Sequence, residues 1–96
     1  MQIKTRAHIV VSGRVQGVFF RAGALQKARE LGVTGWIHNT IDGKVESICE
    51  GEKELVDQFV QWCREGTQFA SVESCEATYG EYQGEFDDFE IREFGF

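Results

Sequence analysis

The 96-residue sequence predicts an α+β fold of the ferredoxin-like, split βαβ type, an antiparallel sheet with two helices packed on one face. Two apolar stripes recur at helical spacing, short β-branched or alternating segments are typical of strands, and an Asp-Gly pair marks a hairpin. Their order is β-α-β-β-α-β, with a short fifth strand near the end of the chain. We expect residues 1–96 to form a single domain.

The chain begins with a predicted strand and helix. Ala7 to Val11 is a short β-branched run that indicates a buried strand. The helix is indicated by apolar residues at helical spacing: Ala22, Leu25, Ala28 and Leu31. Gly32 ends this helix, because glycine readily adopts the left-handed conformation that terminates many helices.

A hairpin follows the first helix. Gly35 to Ile41 alternates in the manner of a strand, and Val45 to Cys49 is the returning strand, which Gly51 ends. Between them, Asp42 and Gly43 form a strong hairpin signature, since both residues tolerate a positive φ. We therefore expect both turn residues to adopt positive φ.

The second half of the chain supplies another helix and the remaining strands. The apolar stripe of this helix consists of Leu55, Val56, Phe59, Val60 and Cys63. Gly66 ends the helix, and Val72 to Tyr79 forms the fourth strand. Phe86 to Ile91 is the short fifth strand.

The charge is distributed unevenly along the chain. The net charge is -6, but residues 1–44 carry seven basic and two acidic side chains, and residues 45–96 carry three basic and fourteen acidic ones. The overall acidity argues against a nucleic-acid partner, which requires a basic surface. The N-terminal half is therefore the place to look for an anion site, although the same asymmetry is also compatible with unevenly distributed solubility charge.

The cysteines and the hydropathy pattern indicate a cytoplasmic protein. Cys49, Cys63 and Cys75 include no C-x-x-C pair, so neither a zinc site nor a disulfide framework is predicted. Three scattered thiols suit a reducing compartment. We find no signal peptide and no apolar segment approaching the roughly 20 residues of a membrane span, so we expect no membrane partner.

The segment from Gly13 to Arg21 has the composition of an anion-binding loop. It lies between a predicted strand and a predicted helix, where free backbone N–H groups and the helix dipole attract negative charge. Arg21, in the first helical turn, adds a planar guanidinium that pairs well with phosphate oxygens. The alternative interpretation is that the two glycines simply make a tight connection.

Asn39 is the second candidate functional residue. Strand alternation places it on the same face as Ile37 and Ile41, where an apolar residue would otherwise be expected. An amide there can orient a water molecule, because it offers both a donor and an acceptor without repelling an anionic substrate. Alternatively, Asn39 serves the neighbouring Asp-Gly turn.

Both candidates lie in motifs that resemble the acylphosphatase family. Residues 11–21 read Val-Ser-Gly-Arg-Val-Gln-Gly-Val-Phe-Phe-Arg, which is similar to the family's Gly-x-Val-Gln-Gly-Val loop running into Phe-Arg. Residues 35–39, Gly-Trp-Ile-His-Asn, and residues 42–46, Asp-Gly-Lys-Val-Glu, resemble its second signature. The family has the ferredoxin-like fold, in agreement with the pattern of elements.

The resemblance implies an acylphosphatase, an enzyme that hydrolyses the carboxyl–phosphate bond of acyl phosphates to a carboxylate and inorganic phosphate. It implies that Arg21 binds the substrate phosphate and that Asn39 orients the attacking water. The implied substrate-binding residues are Gly13, Arg14, Val15, Gln16, Gly17, Val18, Phe19, Phe20 and Arg21. The partner is a small-molecule acyl phosphate. The leaving carboxylate needs no general acid, and Arg21 and the loop amides would supply the positive potential, so we expect no metal and no cofactor. We also expect a monomer.

Other functions fit the sequence less well. A non-catalytic acylphosphatase-like module that binds anions or partners is the alternative, but the presence of Arg21 and Asn39 argues against it. An RNA-binding domain of this fold would carry an aromatic sheet motif and a metallochaperone a C-x-x-C pair, and both are missing. His8 and His38 match no metal spacing, and we expect His38 to face away from Asn39.

Overall fold

The structure, a computed structural model, describes residues 3–93, and these residues form two helices and five strands. The elements are β1 (Lys4–Arg14), α1 (Phe20–Leu31), β2 (Thr34–Asn39), β3 (Val45–Glu52), α2 (Lys53–Glu65), β4 (Ser71–Glu81) and β5 (Phe89–Ile91). The predicted order of elements is confirmed. The predicted single domain spans residues 1–96, of which 1, 2 and 94–96 lie outside the described residues. Neither helix is long and apolar enough to span a membrane.

The strands form one sheet in the order β4-β1-β3-β2-β5. β1, β2, β3 and β4 pair antiparallel, as predicted, whereas β5 pairs parallel to β2. The expectation of a wholly antiparallel sheet is therefore wrong for β5. Residues 82–88 carry the chain from the β4 edge of the sheet to the opposite edge. There β5 pairs with β2 and runs in the same direction as β2.

Both helices cover one face of the sheet, and the core lies between them and that face. Alternate residues of β1 (Ala7, Ile9 and Val11) are buried there, opposite residues of β3 that share the same face. The helices contribute the buried side chains Phe20, Ala24, Ala28, Val56, Phe59, Val60 and Cys63. The predicted stripe of α2 is thus the core-facing one, with Leu55 only partly buried. The prediction for α1 is wrong in part: Ala28 is buried and Leu25 and Leu31 are partly buried, but Ala22 is exposed, because the helix turns Phe20 and Ala24 toward the sheet instead. Gly32 and Gly66 end the helices with positive φ, as predicted.

Several strand boundaries differ from the prediction. β1 and β4 each have 11 residues and are longer than predicted. The helices cover only one face of the sheet, so a strand here can contain polar residues that alternate with apolar ones, and the apolar run alone understates its length. β2 ends at Asn39, so Ile41 lies in the turn with 93% of its surface exposed. β3 continues through Gly51 to Glu52, and β5 begins only at Phe89.

The β2–β3 turn is a three-residue loop. The N–H of Gly43 donates to the carbonyl of Thr40 at 3.3 Å, and the N–H of Thr40 donates to the carbonyl of Lys44 at 2.8 Å. Gly43 has a φ of 90°, but Asp42 is not in the positive-φ region, so the expectation that both turn residues adopt positive φ is wrong. A type I turn followed by a left-handed glycine closes the hairpin instead.

A buried carboxylate fixes the connection between β4 and β5. Glu50 is fully buried and accepts hydrogen bonds from the backbone N–H groups of Gln83 at 2.6 Å and Glu85 at 3.0 Å, and from Arg6 at 3.3 Å. Burial acts to raise its pKa, but the two N–H groups and the guanidinium outweigh burial, so the pKa of Glu50 is lowered. Residues 82–88 are thereby held over the sheet.

Candidate active site

A cleft of about 410 Å³ lies where β1 passes into α1 and β2 ends. It brings Arg21 and Asn39 together, although Arg21 belongs to α1 and Asn39 to β2. The lining residues are Val15, Gly17, Phe19, Phe20, Arg21, Ala22, Asn39, Ile91 and Glu93. The cleft therefore combines the two candidates that sequence reasoning singled out separately.

The β1–α1 loop, residues 15–19, turns sharply to meet the helix. Gly17 has a φ of 73° and Phe19, the N-cap of α1, has a φ of 64°, both in the left-handed region. Among the described residues, the backbone N–H groups of residues 16–19 find no acceptor. Free N–H groups at the start of a helix form a concave donor surface that attracts anions.

Side-chain hydrogen bonds fix this loop at both ends. The side-chain amide of Gln16 donates to the carbonyls of Thr40 at 2.9 Å and Lys44 at 2.8 Å, which ties the loop to the β2–β3 turn. On its other side, the hydroxyl of Thr67 donates to the carbonyl of Val18 at 2.7 Å. The loop is therefore held in one conformation relative to Asn39.

Four of the predicted substrate-binding residues do not line the cleft: Gln16 and Val18 lie in the loop, and Gly13 and Arg14 belong to β1. Gly13 and Arg14 pair with Val72 and Ser71 of β4, after a register shift between Ser12 and Gly13. Gly13 has a φ of 120°, and a Cβ atom there would lie 2.2 Å from the carbonyl oxygen of Ser71. Glycine at this position thus permits the bulge that directs the chain from the strand into the loop.

Arg21 lies in the first turn of α1 and lines the cleft with its side chain 30% exposed. Its guanidinium Nη1 atom is 3.5 Å from a carboxylate oxygen of Glu93, whose side chain is 76% exposed. An ion pair this exposed and this long contributes little to stability, so Arg21 is available to another anion.

Asn39 is the last residue of β2 and shares the helix-covered face with Ile37, as predicted. Its side-chain oxygen is buried and accepts no hydrogen bond from any residue between 3 and 93. The turn bonds come from Thr40 instead, whose hydroxyl accepts from the N–H of Lys44 and donates to the Asp42 carboxylate. The interpretation that Asn39 serves the turn is therefore not supported, and its oxygen is free to accept a hydrogen bond within the site.

The two histidines lie on the uncovered face of the sheet. His8 Nε2 is 2.5 Å from Glu46 Oε2, and His38 Nε2 is 2.8 Å from Glu46 Oε1. The hydrogen bond from His8, aided by that from His38, lowers the pKa of Glu46 against the opposing effect of burial. His38 faces away from the cleft, as predicted, and residues 3–93 contain no cluster of three side chains arranged to bind a metal.

Sequence reasoning does not identify three of the cleft residues. Ala22 follows Arg21 in the helix, and Ile91 and Glu93 reach the cleft because β5 pairs beside β2. No local pattern indicates that pairing, since it joins segments more than fifty residues apart. The donor role of the Gln16 side chain is likewise visible only once the turn is in place.

The chain is similar to acylphosphatases in sequence and in structure. The family model described as Acylphosphatase matches residues 7–91. An acylphosphatase of Pelotomaculum thermopropionicum is 48% identical over 88 residues, covering 92% of this chain and 96% of the relative. The structure of an acylphosphatase from Coxiella burnetii has a TM-score of 0.87 at 37% identity and covers 93% of each chain. The crystal structure of acylphosphatase from Bacillus subtilis has a TM-score of 0.88 at 32% identity, covering 92% of this chain and 98% of that one.

Proposed function

The chain belongs to the acylphosphatase family, and we propose that the cleft between the β1–α1 loop and the end of β2 is its active site. The protein is an acylphosphatase, which hydrolyses the carboxyl–phosphate bond of small-molecule acyl phosphates. One observation carries the assignment of the site: Arg21, Asn39 and a loop with free amide groups line the same cleft.

The phosphate group of the substrate is bound by two sources of positive potential. The backbone N–H groups of residues 16–19 and the N-terminus of α1 donate hydrogen bonds from one side. The guanidinium of Arg21 pairs with phosphate oxygens from the first helical turn. Because the loop is already held by Gln16 and Thr67, little reorganisation is needed when charge spreads over the phosphoryl oxygens during transfer.

Asn39 orients the attacking water in this proposal. Its side-chain oxygen accepts a hydrogen bond from the water, and a neutral amide does not repel the anionic substrate. A water lone pair forms the new O–P bond while the P–O bond to the carboxyl group breaks, and the electron pair leaves with the carboxylate. One water proton passes to a phosphate oxygen, so the products are a carboxylate and dihydrogen phosphate.

We also propose that the reaction needs no metal ion. A carboxylate is a good leaving group because its conjugate acid has a low pKa, so no group has to protonate it. Arg21 and the loop amides supply the positive potential that a metal ion provides in many phosphoryl-transfer enzymes. The remaining contribution is positioning of the water and the phosphate.

We also propose that the protein is cytoplasmic and monomeric. Cys49, Cys63 and Cys75 are free thiols, and burial raises the pKa of Cys49 to about 12, which keeps it unreactive. Free thiols are typical of reducing compartments. Sedimentation at two protein concentrations tests the monomeric state, because dimerisation would raise the apparent mass at the higher concentration.

Replacement of Arg21 tests the phosphate-binding role. We expect Arg21→Gln to lower kcat/KM for acetyl phosphate about 100-fold or more, the scale of losing one preorganised charged donor, and to weaken inhibition by inorganic phosphate. Arg29→Gln is the matched control, since Arg29 lies on the same helix but pairs with Asp88 outside the cleft. Equal kinetics for the two variants would contradict the assignment of the site.

A further inference from the structure

An exposed aromatic pair extends outward from the cleft, which Phe19 lines and Phe69 does not. The rings of Phe19 and Phe69 pack edge to face with their centroids 5.9 Å apart, yet the residues remain 71% and 55% exposed. Phe19 lines the cleft and is the one non-glycine residue between 3 and 93 with a positive φ. Neither burial in the core nor relaxed backbone geometry accounts for a phenylalanine there, and unfavourable backbone conformations concentrate at functional sites.

Phe69 and Asn39 lie on opposite sides of the β1–α1 loop, which itself carries Phe19. β1, from which the loop emerges, has β3 as its neighbour on one side and β4 on the other. Gln16 binds the turn that follows Asn39, on the β3 side. Phe19 contacts Phe69 in the segment between α2 and β4, on the β4 side. A phosphate bound by the loop therefore has Asn39 on one side and the aromatic pair on the other.

In-line attack places the leaving group opposite the attacking water. If the water is held by Asn39, the acyl group departs toward Phe19 and Phe69. We propose that the aromatic pair binds the acyl group and makes the enzyme selective for acyl phosphates with aromatic or large apolar acyl groups over acetyl phosphate. This inference rests on the proposed roles of Arg21 and Asn39.

The chemistry of the pair fits such an acyl group. Two edge-to-face rings leave an open aromatic surface against which a third ring stacks, and the contact removes exposed apolar area from water. An acetyl group, with a single methyl, covers little of that surface. The selectivity appears in kcat/KM, because the contact is present both in the bound substrate and during transfer.

The test compares benzoyl phosphate with acetyl phosphate as substrates of the wild type and Phe69→Ala. We expect the benzoyl-to-acetyl ratio of kcat/KM to fall about fivefold in Phe69→Ala, the scale of one aromatic contact. Phe69→Leu, which keeps apolar surface, retains part of the preference. Tyr82→Ala is the control, since Tyr82 is also exposed but packs beneath Lys4 away from the cleft, and its ratio stays that of the wild type.

Inhibition by benzoate, the carboxylate product of benzoyl phosphate hydrolysis, gives a second measure. We expect benzoate to inhibit Phe69→Ala several-fold more weakly than the wild type. An unchanged ratio and unchanged benzoate inhibition, in an enzyme whose acetyl phosphate hydrolysis depends on Arg21, would overturn this inference and leave the proposed site intact. Loss of the Arg21 dependence itself would overturn the site and this inference with it.

Discussion

Gln16→Glu is expected to disrupt the junction between the loop and the turn with almost no change in side-chain size. The amide of Gln16 donates two hydrogen bonds, at 2.9 Å to the Thr40 carbonyl and at 2.8 Å to the Lys44 carbonyl. A carboxylate cannot donate either bond and is repelled by both carbonyl oxygens. At about 1 kcal/mol for each lost bond, we expect the free energy of unfolding to decrease by about 2 kcal/mol.

The same change should impair catalysis, because Gln16 fixes the loop relative to the strand end that carries Asn39. We expect Tm to fall by roughly 10 °C for a domain of this size, and kcat for acetyl phosphate to fall about tenfold, since small displacements of positioning groups are costly. Gln58→Glu on the exposed surface of α2 introduces the same charge and serves as the control. If Gln16→Glu and Gln58→Glu match in Tm and kcat, the reasoning about this junction is refuted.

Two further carboxylates give predictions of opposite kind, with Glu90→Gln on β5 as the exposed control for both. Glu50→Gln should destabilise the protein by about 3 kcal/mol at pH 7 in urea unfolding. Because the folded-state pKa of Glu50 is lowered, the contribution of its carboxylate to stability is complete above the unfolded-state pKa and is lost as pH falls through the folded-state pKa. The difference in free energy of unfolding between the wild type and Glu50→Gln should therefore narrow in acid. A difference independent of pH would contradict this reasoning. Glu93→Gln should strengthen inhibition by inorganic phosphate about twofold at low ionic strength, because it removes a carboxylate 3.5 Å from Arg21, and the gain should vanish in 0.5 M salt; unchanged inhibition at low salt would contradict it.

The features that the sequence predicts well are local. The helical stripe of α1 and the glycine that ends it lie within twelve residues of one another, so spacing alone locates the helix. Arg21 in the first turn and Asn39 on the helix-covered face follow from the same local periodicities. Local pattern thus places each residue on its element, and the sheet order β1-β3-β2 brings the two elements to one cleft.

The features that the sequence predicts poorly depend on contacts between distant segments. The parallel pairing of β5 arises from residues 82–88 crossing the sheet and being held by Glu50, and nothing near Phe89 in the sequence indicates it. That pairing brings Glu93 to Arg21. The positive φ of Phe19 is similarly hidden, because a phenylalanine is not expected in the left-handed region.

The most direct test of the proposed mechanism is the hydrolysis of benzoyl phosphate, with EDTA present, by the wild type and by Asn39→Ala. We predict metal-independent hydrolysis by the wild type and a loss of about 100-fold or more in kcat for Asn39→Ala, the scale of removing one preorganised hydrogen-bonding group. Inhibition by inorganic phosphate should stay within about twofold, because Arg21 and the loop amides remain. A fully active Asn39→Ala would contradict the water-orienting role, and a wild type that requires a metal ion would contradict the proposed source of positive potential.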